Sequence, residues 1–241
     1  MILPPAPPNF QPYDPHRPVK VYRRNLPHWR QQGATYFLTF HTRDSLPKHA
    51  LKELQQTREN WLRLHPPPHD DVRLFELDRL IMKHTEQWLH SGEGSCPFQH
   101  LEHRQCLHQA LLHFHGHEKA DDETTKNENK KRVELGAFVI MPNHAHVVVR
   151  PLRSIKLENW AGTVKQYVGK RTPATFKLDG QLWPRESHDR LVRNLGHLNK
   201  CVRYIGKNPG MSELSGQATE TLWLNPDWKA LGWSLGAGVG V

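Results

Sequence analysis

The sequence predicts an α+β domain, an antiparallel sheet with helices packed on one face, and two observations point to this fold class. Strand-like and helix-like segments alternate in the order strand, helices, strand, strand, helix, strand. The middle strands, residues 133–141 and 146–149, are separated only by a short Pro-Asn turn, which favours their direct pairing. A split βαβ, ferredoxin-like arrangement satisfies this order.

The N-terminal half of the chain carries one predicted strand and three predicted helices. Residues 1–20 are rich in proline, so we expect an extended arm or a disordered tail. Aromatic and β-favouring side chains predict the first strand at residues 36–42. Apolar residues at helical spacing predict helices at residues 48–64, 71–89 and 101–114.

The C-terminal half begins after residues 117–132, which are almost wholly polar and predict a flexible loop. Beyond the paired strands we expect a helix at 157–171, a possible strand within 180–192 and a short helix at 198–206. The tail, residues 211–241, reads as irregular. The folded domain is therefore predicted to span residues 21–210.

Composition indicates a polyanionic partner. The formal net charge is +9, which favours nucleic acid first and an anionic membrane surface second, although a merely solvated basic surface would look the same. The three cysteines show no paired spacing, which predicts a reducing compartment without a disulfide or zinc framework. The chain has no apolar run of transmembrane length, and prolines interrupt its N-terminus, so we expect a cytoplasmic protein without a membrane partner.

His144 and His146 are the main candidates for a metal site. Residues i and i+2 of a strand point to the same face, so both imidazoles would project together. With 18 histidines in the chain, roughly one His-x-His pair is expected by chance. Three occur, and this pair alone lies on a predicted strand. Spacing by itself leaves a metal site and two surface histidines equally open.

Tyr167 is the candidate nucleophile. It lies on the predicted helix 157–171 beside three cations, Lys165, Lys170 and Arg171. Nearby cations stabilise a phenolate and hold a phosphate, and tyrosine can act as a covalent nucleophile. The alternative is a tyrosine that packs in the core between Val164 and Val168, since apolar stripes on helices are usually core.

Several blocks in order resemble a known family. MPNHAHVVV resembles the HUH motif (histidine, hydrophobic residue, histidine) of single-tyrosine transposases. The whole set resembles the REP-associated tyrosine transposases, a branch of the insertion-sequence transposase family. The blocks are RRNLPHW with TYFLTFHTRDSLP, ALLHF, FVIMPNHAHVVV, TVKQYVGKR, GQLWPRESHDRLVRN and VRYIGKNP. They cover most of residues 22–209.

The resemblance implies a ferredoxin-like domain, with the HUH motif on a central strand, that cleaves and rejoins single-stranded, hairpin-containing DNA. His144 and His146 match the metal histidines, with Mg²⁺ or Mn²⁺ as cofactor. Tyr167 matches the catalytic tyrosine, which forms a 5′-phosphotyrosine and releases a 3′-hydroxyl. Related enzymes take a further Gln or Asn ligand about one turn beyond the tyrosine, where this chain has Arg171. Relatives include homodimers and monomers, and both stay open.

DNA binding is predicted for two basic segments, whose candidate residues are Arg23, Arg24, Arg30, Lys165, Lys170 and Arg171. Two rival functions remain. Arg171 at the expected ligand position would suit a domesticated, non-catalytic DNA-binding protein. A metal-dependent nuclease that uses water instead of tyrosine would need only the histidine pair.

Overall fold

The computed structural model describes residues 3–23, 27–68, 71–116, 132–152, 154–185, 187–211 and 221–236. Its centre is a five-stranded antiparallel sheet with helices packed on it, which confirms the predicted α+β class. The strands are β1 (Lys20–Arg23), β2 (Pro27–Arg30), β3 (Tyr36–His41), β4 (Val133–Ile140), β5 (His144–Pro151), β6 (His188–Leu191) and β7 (Leu222–Leu224). The helices are α1 (Lys48–Leu64), α2 (Asp71–His90), α3 (Leu101–His113), α4 (Leu157–Arg171), α5 (Leu195–Lys207) and α6 (Pro226–Ala230).

The histidine-bearing strand β5 lies at the centre of the sheet, whose order is β6-β3-β5-β4-β7. On one side β5 pairs with β3, which places His41 opposite His144 and Thr39 opposite His146. On the other side β5 pairs with β4, to which a tight turn joins it. The predicted position of the histidine motif on a central strand is therefore confirmed. Strands β1 and β2 form a separate hairpin.

Alternation along β5 divides the core into two layers. Ala145, Val147 and Val149 face the layer that α3 and α4 cover, where Trp160 is fully buried. Val148 faces the opposite layer, which is covered by the apolar stripe of α5 and by α6. Each fully buried aliphatic side chain in these layers stabilises the fold by about 1.5–3 kcal/mol. Helices thus cover both faces of the sheet, whereas the sequence predicted one.

Helices α1 and α2 form a hairpin with a small apolar core of its own. Its buried residues are Leu46, Leu54, Trp61, Leu77, Ile81 and Leu89. The C-terminal end of α2 is fastened to the turn between β4 and β5, because the Asn143 amide donates to the carbonyl oxygens of Leu89 and Glu93 at 3.2 and 3.0 Å. The hairpin therefore brings the last residue of α2, His90, to the sheet.

The N-terminal arm packs on the domain. Tyr13 donates its backbone N–H to the Val192 carbonyl at 2.8 Å, and the Trp233 indole donates to the Pro5 carbonyl at 2.9 Å. Turns at residues 8–9 and 15–17 interrupt this arm.

The C-terminal region differs from the irregular tail that the sequence predicts. Strand β7 pairs with β4, and α6 follows it, capped by the Asn225 side chain, which accepts from the Asp227 backbone N–H at 2.9 Å. Both elements are too short to show a periodic pattern. Residues 117–131, most of the predicted flexible loop, lie outside the described residues. Among the described helices, none is long and apolar enough to cross a membrane.

Candidate metal centre

His144 and His146 project from β5 into the layer beneath α5, and both side chains are buried. One ring nitrogen of each is held by a neighbour: His146 Nδ1 lies 2.9 Å from Thr39 Oγ1, and His144 Nδ1 lies 2.7 Å from Asn143 Oδ1. Their Nε2 atoms are also buried, and within the described chain neither makes a hydrogen bond of ordinary geometry. A buried polar atom without a partner costs about 1–3 kcal/mol, so this pair of atoms favours a bound cation.

His90, at the end of α2, joins the pair. One ring nitrogen from each of His90, His144 and His146 lies within 4.8 Å of the others, a spacing that a single metal ion can bridge. The ring of His90 lies 5.7 Å from that of His144, centroid to centroid. Sequence reasoning missed His90 because it lies far from the motif and carries no local signal. Only the folding of the helical hairpin onto the sheet brings it here.

Helix α5 and the residue that caps its C-terminal end supply two more polar groups to the same place. Tyr204 Oη lies 3.4 Å from His90 Nε2, and the Tyr204 ring lies 5.1 Å from the His146 ring, centroid to centroid. Asn208 is fully buried, and its amide nitrogen donates to the Tyr204 carbonyl at 2.8 Å. This bond turns the amide oxygen of Asn208 toward His90, whose Nε2 lies 3.1 Å away. Tyr204 and Asn208 are four residues apart, one helical turn.

The electrostatics of the site keep the imidazoles of His144 and His146 neutral. Burial, with His90 nearby, lowers the pKa of His144 to about 3. Burial and the neighbouring His144 hold the pKa of His146 well below its usual range. Neutral imidazole is the form that binds metals, so His144 and His146 can both act as ligands at neutral pH.

Two ionisable groups lie beside the histidines. Burial and the Glu86 carboxyl raise the pKa of Tyr204, and Asn208 opposes that shift. Burial raises the pKa of Glu86, which interacts with the Tyr204 hydroxyl and with Arg190. A cleft of about 460 Å³ opens beside them; its lining residues are Glu76, Arg79, Leu80, Met82, Lys83, Glu86 and Arg190.

Tyr167, the nucleophile expected from the sequence, lies elsewhere. It is 39% exposed on α4, the helix that covers the other face of the sheet, and the Arg171 guanidinium stacks on its ring, 3.6 Å from the centroid. The structure therefore brings His144 and His146 together with Tyr204 and Asn208, and leaves Tyr167 and Arg171 outside this cluster. The sequence carries one signal for this pair, the four-residue step from Tyr204 to Asn208, which places both on one face of a helix.

The predicted DNA-binding residues fall into three groups. Arg30 is engaged by the carboxylates of Asp189 and Glu158, with Nη2 donating to Asp189 Oδ2 at 2.8 Å, and Lys165 donates to the Pro184 carbonyl at 3.0 Å. Both therefore have internal partners. Lys170 and Arg171 are exposed on α4. Arg23 belongs to β1, but its side chain is outside the described part, and Arg24 lies outside the described residues altogether.

Comparison with known proteins gives little beyond this geometry. No model of a known protein family matches the sequence, and no curated protein matches it either. Among solved structures, the chain is similar to a REP-associated tyrosine transposase bound to a REP hairpin, with 14% identity and a TM-score of 0.39. The alignment covers 90% of this chain and 94% of that one.

Proposed function

We propose that the protein is a metal-dependent enzyme that cleaves and rejoins single-stranded, hairpin-containing DNA through a covalent phosphotyrosine. The observation that carries the proposal is the meeting of a tyrosine hydroxyl, a buried amide oxygen and three imidazoles in one site. The net charge of +9 and the ordered motif blocks support DNA as the substrate.

The nucleophile in this proposal is Tyr204, not Tyr167. Its hydroxyl lies 3.4 Å from a histidine of the cluster, whereas Tyr167 is on a helix that covers the opposite face. The resemblance also implies an Asn or Gln one turn beyond the tyrosine. Asn208 meets that expectation for Tyr204, and Arg171 does not meet it for Tyr167. Because Tyr204 lies beside the histidines of its own chain, the proposed reaction needs no second copy.

The residues present fit a divalent ion, since two buried imidazole nitrogens make no hydrogen bond of ordinary geometry within the described chain. His144 and His146 would hold it, with the amide oxygen of Asn208 beside them. A bound ion, for which the resemblance implies Mg²⁺ or Mn²⁺, would neutralise charge on the phosphate and orient the leaving oxygen. Thr39 and Asn143 fix the two rings by binding their Nδ1 atoms.

Cleavage then requires one displacement at phosphorus. The Tyr204 oxygen forms a bond to the phosphorus and the bond to the 3′-oxygen breaks, which leaves a 5′-phosphotyrosine and a 3′-hydroxyl once that oxygen takes a proton from water. The phenol proton passes to Glu86, whose carboxyl interacts with the hydroxyl. Rejoining reverses these steps, because the phosphotyrosine conserves the energy of the phosphodiester bond.

An adduct assay tests this proposal. Full-length protein, hairpin-containing single-stranded DNA and Mn²⁺ should give a protein–DNA band that survives denaturation. Tyr204→Phe should abolish the band, whereas the matched change Tyr167→Phe should leave it. An adduct that persists in Tyr204→Phe and disappears in Tyr167→Phe would return the nucleophile to α4.

A metal-dependent nuclease that uses water is the second candidate, and the three-imidazole cluster favours it, since such clusters also support hydrolysis. The same assay separates the two functions. Water-dependent cleavage would turn over without an adduct and would tolerate Tyr204→Phe.

A further inference from the structure

We propose that His90 is a direct metal ligand, and that it converts the site into a three-imidazole centre that selects first-row transition ions over Mg²⁺. This inference deepens the metal centre of the proposed function and rests on it. The proposal assigns the α1–α2 hairpin a role in metal binding, because that hairpin alone carries His90 to the sheet.

The position of His90 supports ligation. It is the last residue of α2. The side-chain amide nitrogen of Asn143 donates to the carbonyl oxygen of Leu89, the residue before His90, and the amide oxygen of Asn143 contacts Nδ1 of His144. One asparagine thus holds the ends of two elements that each contribute an imidazole. The three ring nitrogens lie within 4.8 Å of one another, and the rings of His144 and His146 lie 4.8 Å apart, centroid to centroid. Such spacing suits a common ion with little rearrangement.

The contacts that His90 now makes are with groups of the same site. Its Nε2 faces the Asn208 oxygen at 3.1 Å and the Tyr204 oxygen at 3.4 Å. Both are oxygen atoms that can themselves approach a cation. A metal ion among these atoms would replace these polar contacts and would also engage the Nε2 atoms of His144 and His146, which make no hydrogen bond of ordinary geometry within the described chain.

The donor set decides which ion is preferred. Among the described residues, the only cluster of possible ligands of this kind contains three histidines and no carboxylate. Imidazole suits Zn²⁺, Co²⁺ and similar ions, whereas Mg²⁺ prefers oxygen donors and keeps its water. Imidazole binds a metal in its neutral form, so three such ligands would leave the double charge of the ion available to bind a phosphate oxygen.

Metal binding to the full-length, metal-free protein tests the inference without any DNA. Co²⁺ serves as the probe, because its visible absorption reports ligand number and geometry. Wild type should bind Co²⁺ and yield it to Zn²⁺ but not to an equal concentration of Mg²⁺. His90→Ala should weaken Co²⁺ binding at least about tenfold and change the spectrum. His84→Ala removes a histidine from the same helix outside the site and should bind Co²⁺ as wild type does.

His90→Asn provides a second variant with a smaller cavity, and the melting temperature of each metal-free variant shows whether it is folded. A folded His90 variant with wild-type Co²⁺ affinity and spectrum would overturn the inference, and so would equal competition by Mg²⁺. The two proposals fail separately. If wild type binds Co²⁺ through His90 but forms no adduct with any metal, the ligand assignment stands and the proposed reaction is wrong.

Discussion

At the residue scale, the site depends on side chains that never need to touch DNA. Thr39 and Asn143 each bind one Nδ1 and thereby set the direction of an Nε2. Partners of this kind determine the tautomer and orientation of a ligating imidazole. Thr39 lies opposite His146 across the β3–β5 pairing, so the sheet itself fixes this contact.

Thr39→Val should therefore weaken metal binding by roughly 10- to 100-fold, because the His146 ring loses its orienting hydroxyl. Co²⁺ titration measures the loss. Thr172→Val is the matched control, since Thr172 is also buried and its hydroxyl donates to the Val168 carbonyl of α4, away from the histidines. Equal effects of the two changes would show that lost packing, not ring orientation, governs metal binding.

The buried histidines also predict a direction for the pH dependence of stability. The pKa of His144 is about 3 in the folded protein, below its ordinary 6.5. Between these values the unfolded chain binds a proton that the folded chain excludes, so stability falls as pH drops through this window. Urea unfolding of the metal-free protein should give a lower free energy of unfolding at about pH 5 than at about pH 7.

His144→Gln removes the imidazole that takes up a proton on unfolding. The free energy of unfolding of this variant should therefore fall less steeply with acidification than that of wild type. Parallel curves for the two proteins would mean that His144 is not the source of the pH dependence. Because His146 is buried in the same way, part of the slope should remain in the variant.

At the element scale, the sequence predicted those helices and strands that are long enough to show a periodic pattern of apolar residues. Helices α1 to α4 and strands β3 to β5 fall where apolar spacing placed them. The strand β7 and the helix α6 were not predicted, because elements of three and five residues are too short to show a periodic pattern. Trp228 of α6 also packs against Gly136 of β4, which is far away in the sequence. The same limit applies to the site: the motif predicted His144 and His146, but His90 arrives through tertiary packing.

Substitutions at Gly136, which contacts Trp228, test how much the packing of α6 on β4 stabilises the fold. A Cβ there would lie 2.1 Å from the ring of Trp228, so Gly136→Ala should force α6 away from β4 and lower stability by about 1–3 kcal/mol. Gly162→Ala is the opposite case: its Cβ meets nothing within 4 Å in the interior of α4, and the change should stabilise by about 0.5–1 kcal/mol. Urea unfolding measures both. A neutral Gly136→Ala would mean that α6 is not held closely in solution.

At the scale of the whole molecule, the two faces of the sheet offer DNA two different surfaces. The face with the metal cluster adjoins the cleft that carries Arg79, Lys83 and Arg190. The face covered by α4 presents Lys170 and Arg171, the cations that the sequence favoured because they lie near Tyr167. The net charge of the chain does not indicate which of these surfaces binds DNA, because composition does not show which cations lie close together in the fold.

Charge-reversal variants test which of the two surfaces binds DNA. If DNA reaches Tyr204 through the cleft, Arg79→Glu with Lys83→Glu should weaken binding of hairpin-containing single-stranded DNA at least tenfold. Each lost phosphate contact should also lower the slope of log affinity against log salt by roughly 1. The matched pair Lys170→Glu with Arg171→Glu changes the net charge equally but lies on α4, so it should reduce binding only slightly. Fluorescence anisotropy over a salt series measures the affinity for DNA and its salt dependence. A larger loss of affinity in the α4 pair would place the DNA on the other face of the sheet, away from Tyr204. Equal losses of affinity in the two pairs would indicate that DNA binding depends on net charge alone.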